Sequence, residues 1–121
     1  MGEIVCQRIY NHEDSAGCRI LIDRLWPRGI SREAAHIQRW EKEVAPSNAL
    51  REWFGHLPDR YEEFARRYRQ ELDSNPDAEQ FVQFCRETLP GQDICLLYGA
   101  RDQQRNHAVV LQEWLRERMQ G

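Results

Sequence analysis

Residues 18–25 read CRILIDRL and contain an apolar core, ILI, at 20–22. A near-continuous apolar run is typical of a strand covered on both faces, as strands are in α/β sheets. DICLLY at 93–98 is a second run of this kind, and EIVCQRIY at 3–10 combines alternation with β-branched residues. HIQRW at 36–40 is a further, shorter candidate strand. These segments predict a short, mostly parallel sheet.

Helical patterns fill most of the sequence between and after these strands. Ser47 is placed to cap a helix that Gly55 closes, and Pro58 opens a second helix. The apolar stripes of the second, third and last predicted helices are Tyr61, Phe64, Ala65, Tyr68 and Leu72; Ala78, Phe81, Val82, Cys85 and Leu89; and Ala108, Leu111, Trp114 and Leu115. Because no repeat or linker interrupts the pattern, we predict one small, helix-rich α/β domain over residues 1–121.

The composition is typical of a globular protein. The chain has 121 residues, of which 40% are hydrophobic, and no apolar run approaches the roughly 20 residues that a membrane span needs. The start, MGEIVCQRIY, lacks the pattern of a secretory signal. The net charge of −3 argues against a nucleic-acid partner. We therefore expect a cytoplasmic protein without membrane contact.

The cations of the chain are almost all arginines. Lys42 is the single lysine among 17 cations, and many of the arginines lie on predicted helix faces, where solvated arginine is ordinary. The arginine excess therefore does not by itself identify an anion site, although guanidinium groups suit phosphate and carboxylate.

The four cysteines, Cys6, Cys18, Cys85 and Cys95, form no C-x-x-C pair and predict buried, reduced thiols.

The first candidate site is the segment DRLWPRG at 23–29, directly after a buried strand. Open α/β sheets bind ligands just beyond the carboxyl ends of their strands. Arg24 and Arg28 on a loop stiffened by proline suit an anion, and the ring of Trp26 could form an apolar wall. The alternative is structural: Asp23 pairs with an arginine, Trp26 fills the core, and Pro-Gly makes a turn. The spacing alone leaves both interpretations open.

The second candidate site is the segment YGARDQQRNH at 98–107, a strand end, a loop and the start of a helix. The amino end of a helix offers free N–H groups to an anion. Asn106 is a candidate N-cap, and His107 is a candidate acid–base group. The segment is neither a P-loop nor a dinucleotide fingerprint. The alternative, that Asn106 caps and His107 packs without a ligand, is favoured by spacing alone.

No metal or cofactor is expected. His12, His36 and His56 are scattered without the spacing of metal ligands. The serines Ser15 and Ser31 lie in no nucleophile-elbow context.

Three segments together resemble a known family: DRLWPRG (23–29), WEKEVAPS (40–47) and LLYGARDQQRNHAVVL (96–111). They are similar to the YeaO-like branch of the family of domain of unknown function 488 (DUF488). RIY at 8–10 and the intervening helices fit as well, so the resemblance covers nearly the whole chain. It implies a compact, Rossmann-like α/β domain of bacteria or archaea and names no activity.

The resemblance also separates this chain from other branches of the family. Those branches carry a cysteine at the position of Tyr98, a glutamate at Ala100, and a Cys-His-Arg run where this chain has residues 106–108. A thiol chemistry suspected for them therefore does not transfer to this chain. The residues that match the YeaO-like pattern are Asp23, Arg24, Trp26, Arg28, Lys42, Tyr98, Asn106 and His107.

Two main functional hypotheses follow, and a purely structural or interaction role is a third. In the first, the segments 23–29 and 98–107 form one pocket for an anionic small molecule or nucleotide. The anion would be bound by Arg24, Arg28, Lys42 and Asn106. An apolar wall would come from Trp26 or Tyr98. The candidate catalytic residues are His107, Asp23 and Tyr98. In the second, the chain is a non-catalytic binding or regulatory module for nucleic acid or a protein partner. The oligomeric state is left open.

Overall fold

The computed structural model describes residues 2–11 and 17–120. It contains a four-stranded sheet of β1 (Ile4–Arg8), β2 (Cys18–Leu21), β3 (Arg39–Trp40) and β4 (Ile94–Tyr98). The strand order is β1-β4-β2-β3, and every pair is parallel. The predicted α/β class with a short parallel sheet is therefore confirmed.

Five α-helices accompany the sheet in the described residues. They are α1 (Arg32–Ala35), α2 (Asn48–Phe54), α3 (Tyr61–Asp73), α4 (Pro76–Thr88) and α5 (His107–Met119), with 3₁₀ turns at Lys42–Val44 and Pro58–Arg60. Side chains of Ser31, Ser47, Asn75 and Asn106 accept hydrogen bonds from the first turns of the helices that follow them. Gly55 ends α2 in the left-handed conformation, as its position after the apolar pattern predicts.

The sheet has two unequally covered faces. Alternate residues of β4 point to opposite sides: Ile94, Leu96 and Tyr98 join the main core with α2, α3, α4 and α5, whereas Cys95 and Leu97 join a smaller core. The smaller core is covered by the segment 24–40, with its tryptophans and the short helix α1. One face of the sheet thus has a full helical layer, and the other has a thin cover.

The structure bears on two sequence-based expectations, that the cysteines are reduced and buried and that no segment spans a membrane. All four cysteines are free, and three of them are buried; Cys6 is half-buried. No helix in the described part of the chain is long and apolar enough to cross a membrane.

Candidate functional site

The candidate site lies at the carboxyl end of the sheet. β2 and β4 are neighbours and run in parallel, so the segments that follow them emerge side by side. A cavity of about 410 Å³ opens there. Its lining residues are Asp23, Arg24, Leu25, Ala45, Pro46, Arg51, Phe54, His56, Phe64, Gly99, Ala100, Asn106 and His107. The two segments singled out by sequence therefore meet, in part, in one cavity.

Asp23 ties the ends of three strands together. Its Oδ2 accepts a hydrogen bond from the backbone N–H of Gly99 at 2.9 Å, and its carbonyl oxygen accepts one from Nε1 of Trp40 at 2.7 Å. A Cβ at Gly99 would lie 2.9 Å from Oδ2, so a larger residue there would have to displace the carboxylate. The carboxylate is thus fixed at the floor of the cavity.

His107, the first residue of α5, faces two acceptors with one nitrogen. Its Nε2 lies 3.2 Å from the carbonyl oxygen of Ile22 and 3.0 Å from Oδ1 of Asp23. Because both neighbours are acceptors, Nε2 carries the hydrogen. The better-directed bond is the one to Ile22, since the buried Oδ1 receives no well-aligned hydrogen bond from the described residues. The ring N–H of His107 therefore bonds to Ile22, and Oδ1 of Asp23 is a second acceptor 3.0 Å from the same nitrogen.

Asn106 organises the amino end of α5. The side chain is 2% exposed; its Oδ1 accepts from the N–H of Val109 at 3.1 Å, and its Nδ2 donates to the carbonyl of Asp102 at 2.9 Å. The backbone N–H groups of His107 and Ala108 have no acceptor among the described residues. These free N–H groups and the positive end of the helix dipole are what an anion needs at this position.

Two arginines bring positive charge to the cavity. Arg24 is half-buried, and its Nε and Nη2 donate to the carbonyls of Pro46 and Ala45 at 3.3 and 3.1 Å, which fixes the guanidinium in the wall. Arg51 is exposed and makes no hydrogen bond or ion pair through its side chain with any described residue. One arginine is therefore held in place and the other is available.

His56 joins the same wall in an unusual backbone conformation. It follows Gly55, and both residues are left-handed, with φ values of 57° and 53°. A residue other than glycine pays a conformational cost in this region, and such residues gather at functional sites. The consequence is that a histidine ring is presented at the cavity instead of continuing α2.

The apolar part of the cavity comes from the main core and from the rim. Phe54 and Phe64 are buried and stacked with ring centroids 4.3 Å apart. Leu25 stands at the rim with 63% of its surface exposed. Apolar walls with a few convergent polar groups are the usual character of small-molecule pockets.

The structure places the eight sequence-predicted site residues in three locations. Asp23, Arg24, Asn106 and His107 line the cavity. Tyr98 is buried in the main core, where burial raises the pKa of its phenol. The remaining three, Trp26, Arg28 and Lys42, do not line the cavity. Trp26 packs on the smaller core, and Tyr10 of that core donates from its hydroxyl to the carbonyl of Arg28.

Sequence reasoning missed the contribution of α2. Arg51, Phe54 and His56 come to the cavity from this helix and the turn after it. The one local signal for this contribution was the helix-ending Gly55 followed by a histidine. Two successive left-handed residues change the direction of the chain after α2. The packing of α2 against α3 is a tertiary contact that no local pattern reports.

The chemistry that this arrangement offers is limited. The described residues that line the cavity include no thiol and no hydroxyl side chain, and the nucleophilic groups they do offer are the carboxylate of Asp23 and the imidazoles of His56 and His107. In the described part of the chain, no group of three or more His, Cys, Asp and Glu residues is placed to hold a metal; His12 lies outside it. His107 beside Asp23 remains the pair with acid–base capacity.

Comparison with known proteins agrees with the resemblance seen in the segments above. The chain is 42% identical to the uncharacterised protein YeaO of Escherichia coli (strain K12) over 115 residues, which cover 93% of this chain and 96% of YeaO. It is 37% identical to the uncharacterised protein Rv3073c of Mycobacterium tuberculosis (strain H37Rv) over 92% of each chain. No solved structure gives a significant match. The family model DUF488-N3i, described as the inactive DUF488-N3 subclade, matches residues 3–121, and the chain belongs to this family.

Proposed function

We propose that the cavity binds a small ligand with an anionic group, phosphate or carboxylate, and an apolar body, without covalent catalysis. The observation that carries this proposal is the shared lining: Arg24, Arg51 and the amino end of α5 face the same space as the Phe54–Phe64 stack. Cations and free N–H groups are specific for an anion, whereas the stacked rings favour burial of carbon. A purely apolar or purely charged ligand would use half of the site.

The fixed and available cations have different roles in this proposal. Arg24 donates hydrogen bonds to two backbone carbonyls, so its guanidinium contributes positive charge to the cavity wall but has little freedom to move towards a ligand. Arg51 is exposed and able to fold over a bound anion, forming a bidentate contact. Asp23 holds Gly99 in place by accepting a hydrogen bond from its N–H, and its Oδ1 lies 3.0 Å from Nε2 of His107.

The described lining offers no hydroxyl or thiol nucleophile, and Asp23 and His107 are engaged by Gly99 and Ile22, which favours binding over covalent chemistry. The family description, an inactive subclade, points the same way. An acid–base enzyme is the second candidate, favoured by the contact between His107 and Asp23. The two are separated by His107→Gln: a binding protein keeps its ligand with modest loss, and an enzyme loses turnover.

The test is a calorimetric titration with linear monocarboxylates of increasing length and with alkyl phosphates. Affinity should rise about fourfold for each added methylene, because each buried CH₂ contributes about 0.8 kcal/mol. Arg51→Gln should weaken every ligand by about tenfold, since a charge-assisted contact contributes about 1.5 kcal/mol or more. Leu25→Ser should reduce the gain in affinity with ligand chain length and leave the affinity of the shortest ligands unchanged.

The matched control is Arg66→Gln, which removes the same charge from an exposed position of α3 away from the cavity. Its affinities should equal those of the native chain. Failure of every anion to bind, or equal loss in the two arginine variants, would show that the cavity is not an anion site.

A further inference from the structure

The motif residues that the cavity does not use form a surface of their own. Four of them, Trp26, Arg28, Arg32 and Trp40, belong to the segment 24–40 that covers the smaller core, on the side of the sheet away from α2–α5, and the fifth is Lys42, whose Nζ lies over the ring of Trp40. We call these five residues the basic aromatic face. The rings of Trp26 and Trp40 meet edge to face at 5.4 Å. Arg32 lies 4.6 Å from the first ring centre and 5.7 Å from the second, and Lys42 lies 5.1 Å from the Trp40 ring.

Hydrogen bonds hold both tryptophans and the turn between them. Nε1 of Trp26 donates to the carbonyl of Ile30 at 2.6 Å, and Nε1 of Trp40 donates to the carbonyl of Asp23 at 2.7 Å. The hydroxyl of Tyr10 donates to the carbonyl of Arg28 at 2.9 Å. With their N–H groups satisfied and their rings packed, the tryptophans are rigid supports for the cations. Such preorganisation lowers the entropic cost of binding a partner.

The cations of this face have no acidic partners. No carboxylate of the described residues lies within 4.0 Å of a charged nitrogen of Arg28, Arg32 or Lys42, and all three residues are exposed. The nearest acids in sequence are Glu33, Glu41 and Glu43, of which Glu41 is engaged by Arg39.

Several cations elsewhere on the surface are paired with carboxylates. On α3, Arg66 and Arg67 both pair with Glu63. The basic aromatic face carries three cations, Arg28, Arg32 and Lys42, in a chain whose net charge is −3. The basic aromatic face is therefore a positive area on an otherwise acidic molecule, and its charge is not consumed within the chain.

We infer that the basic aromatic face docks an acidic segment of a partner protein. Tryptophan and arginine are the residue types that dominate the energetics of protein interfaces, and half-buried Ile30 and Ile37 supply apolar area beside them. A guanidinium stacked on a ring keeps its N–H edge free for a carboxylate. Nucleic acid fits less well, because Arg32 and Lys42 already lie over the rings that bases would stack on. The acidic remainder of the surface would also repel a long polyanion.

The test is a fluorescence-anisotropy titration of the full chain with a labelled peptide in which glutamates and leucines alternate. A peptide with glutamine in place of glutamate and a labelled single-stranded oligonucleotide of equal charge are run beside it. The double variant Arg28→Gln/Arg32→Gln should weaken the acidic peptide by about tenfold or more. The matched control Arg66→Gln/Arg67→Gln removes the same charge from α3 and should leave the affinity within about twofold.

Each outcome decides the proposal. Loss confined to the first double variant, reproduced in direction by Lys42→Gln alone, supports it. No binding of the acidic peptide, equal losses in the two double variants, or tighter binding of the oligonucleotide would overturn it. A loss of peptide affinity in Arg51→Gln that is absent from Arg28→Gln/Arg32→Gln would place the peptide in the cavity and overturn the proposal, so its failure is distinguishable from that of the proposed anion site.

Discussion

Nε2 of His107 lies 3.0 Å from Oδ1 of Asp23, joining the start of α5 to the segment after β2 across the end of β4. Both side chains are largely shielded, with 15% and 19% of their surface exposed. The same carboxylate accepts from the N–H of Gly99, so a single acidic side chain organises the ends of two strands and one helix. The floor of the candidate site is therefore also a tertiary contact of the fold.

A double-mutant cycle on Asp23→Ala and His107→Ala measures this contact. Each single change should cost about 1–3 kcal/mol in the free energy of unfolding, because each leaves a partly buried polar group without its partner. The coupling energy between the two changes should be about 1 kcal/mol. Urea denaturation of the four proteins gives the values. The exposed pair Arg105–Asp102, separated by 3.9 Å, is the control and should couple weakly. Additive costs at Asp23 and His107 would contradict the assigned contact.

Gly99→Ala tests the close approach of the backbone to Asp23. A Cβ at this position would lie 2.9 Å from Oδ2, so the carboxylate must move and the fold should lose about 1–3 kcal/mol, as overpacked sites do. Gly91→Ala is the matched control, because its Cβ would meet nothing closer than 3.8 Å and its φ is not left-handed. The two variants are compared by thermal and urea unfolding. Equal stability of both would show that the approach at Gly99 is not restrictive.

Much of the fold was predictable because its signals are local. The apolar run at 93–98 became β4 at Ile94–Tyr98, and the caps at Ser47 and Asn106 stand where the pattern predicts them. The meeting of residues 23–24 with 106–107 followed from one rule, that parallel strands present their carboxyl ends at the same edge. β2 ends earlier than the apolar run suggested, at Leu21, although the N–H of Ile22 still donates to the carbonyl of Leu97.

The direction of the loop after β2 was not predictable. The polar motif at 23–29 divides at Leu25: Asp23 and Arg24 turn to the cavity, and Trp26 packs against Trp40 on the other side of the sheet. The direction of Trp26 depends on its contact with Trp40, which is distant in sequence, so the spacing of residues within the loop does not predict it. The contribution of Arg51 has the same origin, since it depends on where α2 packs.

Asn106→Ala tests the cap that presents the amino end of α5. The change removes the acceptor for the N–H of Val109 and the donor to Asp102, both at a buried position, so we expect a cost of about 1–2 kcal/mol. Ser31→Ala, which removes the cap of the exposed four-residue helix α1, should cost less because little packing depends on that helix. Unfolding in urea measures both. A smaller loss at Asn106 than at Ser31 would contradict the role given to the α5 cap.

The buried thiols predict a loss of stability in alkaline solution. Burial raises the pKa of Cys6 and of Cys85 from 9.0 to about 12, with a smaller contribution from a neighbouring cysteine in each case. In the unfolded chain both thiols ionise near their ordinary pKa, whereas in the folded chain they stay protonated. Above pH 9 the unfolded state therefore binds fewer protons, and the free energy of unfolding falls as pH rises towards 12.

The expected loss is about 1 kcal/mol per thiol by pH 10, measured by urea unfolding across the pH range. The control is the double variant Cys6→Ala/Cys85→Ala, which has a lower stability at neutral pH but cannot ionise at these positions. Its stability should decline less steeply with pH than that of the native chain, since two of the linked protons are gone. Parallel curves for the two proteins would mean that these thiols titrate alike in the folded and unfolded states, and that Cys6, beside Ala108 of α5, and Cys85, on the buried face of α4, are more open to water than the structure implies.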